Sequence, residues 1–379
     1  MEAIQSELLA FIEQHNKIKQ REEGWYASMG RTVGGSEIAA IMGKSSYSNF
    51  YDIVARKIKI VKKEFKMQTN FACLWGTVFE DVAAEYIKYH FNFEPIGTEI
   101  TIMNRPGFRY SPDGYIIGGI KKNGRICWPD ENKALIDHYA PIMLEIKCPS
   151  SRDLGPSVPA MYLPQILAGL EFSIPNTVGM FVDCKFRKCA LDELNESLHF
   201  DRHLHKKNHN GGFKAVAWGM IGLFTKDGET YDDYRDDNLE FRYMNEWNFT
   251  KILENINKWE IKFSEVKCNA DEQIYEWSKV GKLHKVIPWK LLEIRFIQVD
   301  KQEGFLDSIT DRVNAVNSLV DEATKQDDPV QWYINYLMEK NITIPEEIRS
   351  EVKRDEKEET EYYDSRLDSM MLMLKKKSA

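Results

Sequence analysis

The chain has 379 residues, 43% hydrophobic and 12% aromatic, enough to bury at least one large core and, on length, two domains. Its 51 Lys and Arg against 59 Asp and Glu leave a net charge of −8, which excludes a protein held to nucleic acid by bulk positive charge; an anionic substrate must meet a local basic surface. Six cysteines without a CxxC pair, a longest apolar run (Ala215 to Phe224) of about half a membrane span, and Glu2 and Glu7 near the start argue against a disulfide framework, a transmembrane helix and a secretory signal.

Ile4, Leu8, Phe11, Ile12 and Ile18 recur at helical spacing between charged residues, which predicts an amphipathic helix docked on the core. The small residues Thr32-Val33-Gly34-Gly35 form a loop, and Ser36 to Met42 reads as a short helix with Ser36 as its N-cap and Gly43 at its end. A second helix is expected from Leu74 to His90. Strands are expected at Glu99 to Met103, Tyr115 to Ile120, Ile142 to Cys148 and Thr177 to Phe186, with a helix near Tyr162 to Phe172 between the last two. That order is mixed α/β. A wetter stretch from Asn195 to Gly212 carries His199, His203, His205 and His209; their spacing suits zinc, but no cysteine or carboxylate completes a ligand set, so a zinc site is not expected. One more strand follows at Leu291 to Val299. From Gln302 the pattern turns helical, and 351–364, with seven acidic and three basic residues, reads as a solvated or disordered tail.

The chemistry concentrates in Ile142-Met143-Leu144-Glu145-Ile146-Lys147-Cys148-Pro149. Period 2 puts Glu145 and Lys147 on one face and Leu144, Ile146 and Cys148 on the other. Glu-x-Lys occurs six times in the chain, but only this copy lies in an apolar run of strand length, and Asp113 stands 32 residues earlier in the turn Ser111-Pro112-Asp113-Gly114. Two carboxylates on neighbouring strands repel unless a cation joins them, and all-oxygen ligation suits Mg²⁺ or Mn²⁺. Phosphodiester hydrolysis uses such a set, with Lys147 orienting the water or neutralising developing charge. The same residues also allow a plain reading, a turn Asp and a paired charge on a strand.

Five stretches together, Val33-Gly34-Gly35-Ser36-Glu37, Trp75-Gly76-Thr77-Val78-Phe79-Glu80, Ser111-Pro112-Asp113-Gly114, Leu144-Glu145-Ile146-Lys147-Cys148-Pro149 and Tyr162-Leu163-Pro164-Gln165-Ile166, resemble the lambda-type alkaline exonuclease family. These YqaJ-like viral recombinases lie within the PD-(D/E)XK nuclease superfamily, and the version encoded by large cytoplasmic DNA viruses of the asfarvirus kind is the nearest in kind. The resemblance implies a restriction-endonuclease-like core, a mixed sheet flanked by helices, here with helical additions at both ends: an N-terminal helix (1–24), the nuclease domain (25–301) and a helical extension with a charged tail (302–379). It implies that Asp113, Glu145 and the Ile146 carbonyl hold Mg²⁺ or Mn²⁺, two ions in all, that Lys147 is the catalytic lysine, and that Glu80, as a further ligand, and Gln165 complete the site. It further implies a 5′→3′ exonuclease on double-stranded DNA ends, a single-strand annealing partner, a trimeric ring in some relatives, and a viral factory in the cytoplasm. The alternatives are an endonuclease or RNase with the same metal site, or a catalytically silent nucleic-acid-binding protein.

For end recognition, Ser36 behind two glycines is a candidate phosphate contact. The family's arginine, about four residues after the tryptophan that corresponds to Trp25, is replaced by Met29, which leaves Arg31 as the nearest candidate. Arg56, Lys57, Lys59, Lys62, Lys63 and Lys66, opposed only by Glu64, form the best candidate for a surface that tracks the DNA backbone, unless they are a solvated helix face.

Overall fold

The computed structural model describes residues 1–18, 23–63, 71–98, 100–188, 206–207, 213–214, 217–225, 239–243 and 283–349. The expected N-terminal helix is α1 (Glu2–His15), anchored by a fully buried Leu8. After α2 (Glu23–Met29) and β1 (Val33–Gly34) come α3 (Gly35–Ile41) and α4 (Phe50–Val61). Asn49 starts α4 by accepting from the Tyr51 and Asp52 N–H groups, while Asp52 accepts from Asn49 N–H in return, a reciprocal cap. The long α5 (Phe71–Phe91) extends the expected helix at its start, and β2 (Phe108–Arg109) pairs parallel with β1.

The expected strands are β3 (Gly114–Lys121), β4 (Ile136–Lys147), β5 (Val178–Lys188) and β10 (Leu283–Val299), with α6 (Leu163–Phe172) between β4 and β5. Short strands β6 (Lys206–Lys207), β7 (Phe213–Lys214), β8 (Ala217–Thr225) and β9 (Leu239–Tyr243) complete an eight-stranded sheet ordered β3-β4-β5-β10-β7-β6, in which β8 joins β10 to β9. β3 and β4 are antiparallel, β4 and β5 parallel across the α6 crossover, and β5 and β10 antiparallel. This is the mixed sheet flanked by helices that the sequence predicts. One strand does not form as expected: of Glu99 to Met103, where Glu99 lies outside the described residues, Ile100 and Ile102 make isolated bridges, Ile102 to Tyr110, and not a continuous strand.

Alternation along β4 sorts side chains between two cores. Met143 faces a core shared with Phe181, Tyr110 and helices α3, α4 and α6. Ile142, Leu144, Ile146 and Cys148 face the α5 side, with Phe79, Val82 and Tyr86. Beyond β10, α7 (Phe305–Thr324), α8 (Pro329–Glu339) and α9 (Glu346–Arg349) follow, and Phe305, Ile309, Val313, Val330 and Tyr333 enter the same core as Ile53 and Val54 of α4. Among the described residues no helix is long and apolar enough to cross a membrane. The histidines at 199, 203, 205 and 209 and the acidic stretch 351–364 lie outside the described residues.

Candidate functional site

The end of β4 carries Glu145 and Lys147 on one face, as period 2 requires, and the β3–β4 register places Gly114 opposite Leu144. Asp113, one residue before β3, therefore sits across from Glu145. Its backbone N–H donates to the Leu144 carbonyl at 3.3 Å, and its Oδ2 accepts from the Ile146 N–H at 2.6 Å. Lys147 Nζ donates to Glu145 Oε1 and, at 3.1 Å, to the Ile146 carbonyl, and lies 4.0 Å from Asp113 Oδ2. Glu145 Oε2 accepts from the Tyr110 hydroxyl at 3.1 Å. The Glu145 side chain is fully buried, Asp113 is 13% exposed and Lys147 24%.

This geometry is short of positive charge. Burial raises the Glu145 carboxyl to about 7, with Asp113 pushing in the same direction and Lys147 opposing both. Burial works against the Lys147 ammonium too, but Glu145 and Asp113 outweigh it and raise the lysine above its usual value. Mg²⁺ needs only one or two carboxylates, because it keeps waters and takes substrate phosphate oxygens for the rest of its shell. Asp113, Glu145 and the Ile146 carbonyl supply that all-oxygen set, and an ion would add positive charge where two carboxylates share one lysine. The donor chemistry fits.

The supporting positions divide. Glu80, on α5, is near enough to the end of β4 for its charge to act on both Lys147 and Cys148. Among the described residues, however, no group of three His, Cys, Asp or Glu side chains converges as a metal-binding set. Gln165 is half-buried in the first turn of α6, and its Cγ approaches the Gly35 backbone.

The end-recognition residues require more correction. Ser36 is exposed but does not cap α3: the N-cap is Gly34, whose N–H donates to Glu37 Oε2 at 2.7 Å. Glu37 takes the capping role because a buried carboxylate three residues into the helix reaches back to that N–H. Arg31 turns outward to Asp321 of α7, at 2.9 Å, and not toward the Gly34-Gly35 turn. The basic run on α4 is not one surface. Lys57 is fully buried and donates to Glu37 Oε2 (2.9 Å) and to the carbonyls of Thr32 (2.6 Å) and Met29 (3.0 Å). Arg56 and Lys59 are turned to Glu347 of α9, Lys62 is half-buried, Lys63 is exposed and Lys66 is outside the described residues. A helix whose face packs against α9 spends its cations on that contact.

Several residues near the site left no local signal in the sequence. Arg109 lies 3.9 Å from Glu37 Oε2 and over the Trp25 ring at 5.4 Å. The glycines of the turn answer to these neighbours: a Cβ on Gly34 would meet the Arg109 guanidinium at 2.8 Å, and one on Gly35 the Tyr110 ring at 2.6 Å. Burial alone would raise the Glu37 carboxyl, but Lys57, Arg109 and the Gly34 N–H outweigh it and hold it below its usual value. Beside the carboxylates, Tyr162 packs under two cations: Lys147 Nζ and the Arg152 guanidinium each lie 5.6 Å from its ring, and Arg152 is held in a two-pronged pair by buried Asp183 at 2.6 and 2.7 Å. The adjacency of Arg152 and Asp183 depends on the β4–β5 pairing, which local sequence does not encode.

Known proteins resemble this chain over the part that holds the site. Residues 18–173 match the model of the YqaJ-like viral recombinase domain, a span that contains Asp113, Glu145, Lys147, Glu80 and Gln165. One African swine fever virus protein is similar in several isolates. The form from isolate Tick/Malawi/Lil 20-1/1983 is 27% identical over 308 residues, covering 76% of this chain and 82% of the viral one, and the form from the Badajoz 1971 Vero-adapted strain is 27% identical over 302 residues with the same coverage. Among solved structures, the alkaline exonuclease LHK-Exo of Laribacter hongkongensis is 15% identical with a TM-score of 0.30, covering 68% of this chain and 96% of that one. Residues 18–173 of this chain are thus similar to the YqaJ-like viral recombinase domain, and 76% of the chain is similar to these African swine fever virus proteins.

Proposed function

We propose that this chain is a divalent-metal-dependent deoxyribonuclease that degrades linear double-stranded DNA from its ends, in the 5′→3′ direction, and exposes single strands for viral recombination or repair. The observation that carries this reading is the close set at the end of β4, where Lys147 contacts buried Glu145 and the Ile146 carbonyl and lies 4.0 Å from Asp113. The recombinase domain gives a second support: joining duplexes through annealed strands requires single-stranded DNA, and hydrolysis of one strand produces it.

Asp113, Glu145 and the Ile146 carbonyl would hold Mg²⁺ or Mn²⁺. When bound, the ion supplies Lewis-acid stabilisation of the scissile phosphate and a more acidic water. Lys147, whose ammonium is raised by its two carboxylate neighbours against the effect of burial, keeps its proton at neutral pH. It therefore donates hydrogen bonds to the attacking water or to a phosphate oxygen and does not act as the base. Glu80 contributes a negative field at the back of Lys147, and Gln165 offers an amide beside the Gly35 turn for a phosphate of the bound strand. An annealing protein would take up the exposed strand.

The test is purified protein with Mg²⁺ on linear duplexes, covalently closed circles and RNA, with Asp113→Asn as control. Release of nucleotides from linear duplex alone supports the proposal. Cutting of closed circles would make the protein an endonuclease, degradation of RNA an RNase, and binding without cleavage a silent nucleic-acid-binding protein.

A further inference from the structure

The site contains one polar contact that neither metal chemistry nor strand periodicity explains. Tyr110 stands just after β2, and its backbone is pinned by reciprocal bonds with Ile102, Tyr110 N–H to the Ile102 carbonyl at 3.0 Å and Ile102 N–H to the Tyr110 carbonyl at 2.7 Å. Its ring is 1% exposed and stacks on Phe172 of α6, with centroids 5.9 Å apart and planes within 6°. The Gly35 backbone closes over the other edge of the ring so tightly that no side chain fits there. A phenylalanine would fill this volume equally well. What the tyrosine adds is its hydroxyl, aimed at Glu145 Oε2 at 3.1 Å while Lys147 takes Oε1. The two donors approach from different elements and hold both oxygens of one buried carboxylate.

We propose that Tyr110 is a positioning residue of the metal centre: clamped between α6 and the Gly34-Gly35 turn, it fixes the orientation in which Glu145 meets the ion. The inference rests on the reading of Asp113 and Glu145 as the metal-holding pair. It also accounts for the Gly34-Gly35 turn, which presses on the ring that holds the metal ligand and is anchored from behind by the buried Glu37, Lys57 and Arg109 cluster. Hydrogen-bond partners of metal ligands fix ligand geometry, and their loss commonly costs about 10- to 100-fold in metal affinity or activity.

Tyr110→Phe in the full chain keeps the ring and removes only the hydroxyl. Three readouts separate positioning from packing: Mn²⁺ affinity by calorimetry without DNA, kcat and KM on linear duplex, and the melting temperature of the metal-free protein. The expected result is Mn²⁺ affinity and kcat each lowered roughly 10- to 100-fold, with KM for DNA unchanged. A melting temperature that falls while Mn²⁺ affinity and kcat stay at wild-type levels would make the hydroxyl a packing feature and overturn the inference, as would no change in any readout. Asp113→Asn, run in parallel, separates the two failures. If it loses Mn²⁺ and cleavage while Tyr110→Phe does not, only the role of Tyr110 falls. If it binds Mn²⁺ and cleaves like wild type, the metal site itself is misplaced and Tyr110 falls with it.

Discussion

Lys57→Met tests whether the turn beside the site rests on a buried ionic support or on an ordinary surface helix. The lysine has no exposed side-chain area, and its three donors reach Glu37 and the carbonyls of Met29 and Thr32. Methionine keeps most of the volume, so little cavity cost is expected, but Glu37 is left 5% exposed with only Gly34 N–H and Arg109 at 3.9 Å to compensate it. Removing one partner of a buried pair costs about 3 to 5 kcal/mol, a large share of the roughly 5 to 15 kcal/mol that keeps a domain folded. Urea unfolding followed by tryptophan fluorescence should show that loss, and Lys57→Met combined with Glu37→Gln should be about 2 kcal/mol less harmful than the sum of the single changes, since neither charge then remains alone. The pH sign follows from Glu37. Its folded-state value lies below its ordinary one, so its contribution is present above the ordinary carboxylate range and is lost as pH falls through the depressed value. A cost under about 1 kcal/mol with no coupling, as for an exposed ion pair, would refute the buried support and return Lys57 to the solvent-facing run that its neighbours suggest.

Asp113→Asn and Glu145→Gln should abolish Mg²⁺-dependent cleavage and Mn²⁺ binding while leaving the circular dichroism spectrum unchanged; turnover near wild type in either would remove the site. Lys147→Ala should lower kcat far more than DNA affinity, and Lys147→Arg should not restore it, since a planar fork does not replace a point charge; weakened DNA binding with unchanged kcat would make the lysine a backbone contact. Because burial raises Glu145 to about 7, a metal ion must displace its proton in acid, so Mn²⁺ affinity should be roughly tenfold weaker at pH 6 than at pH 8, and equal affinities would contradict the raised carboxyl. Arg31→Ala should leave any preference for 5′-phosphorylated ends intact, because the guanidinium is committed to Asp321; loss of that preference, measured on paired phosphate and hydroxyl substrates, would show that the arginine swings back to the turn.

What the sequence disclosed and what it hid follow from the range of the interactions. Glu145 and Lys147 are two residues apart, so strand period alone puts them on one face, and an apolar run ending at Pro149 marks that strand against five other Glu-x-Lys copies. Helices α5 and α6 were readable for the same reason, their apolar residues recurring within the element itself. The strand expected at Glu99 to Met103 is reduced to isolated bridges at Ile100 and Ile102, because these apolar residues are buried by packing and not by a continuous ladder. Lys57 was hidden more thoroughly. In a run of basic residues it is indistinguishable from Lys59 or Lys62, and its burial is set by the docking of α4 on Met29, Thr32 and Glu37, contacts 28, 25 and 20 residues away in sequence.

Tyr110 and Arg109 illustrate the same limit inside the site. Their neighbours in the chain, Phe108 and Ser111, give no periodic signal, and the contacts that matter span 35 residues to Glu145 and 77 to Thr32. The Gly34-Gly35 pair was visible, but its tertiary meaning differed from the local one: two glycines before a helix suggest room for a phosphate, whereas here that room is filled by a guanidinium and a phenol ring. The glycines are required by what approaches them from within the protein. A carboxylate that depends on such an approach is oriented by the fold and not by the strand that bears it, so the parts of the reaction set by period 2 and the parts set by packing can be separated by mutation, Lys147 for the first and Tyr110 for the second.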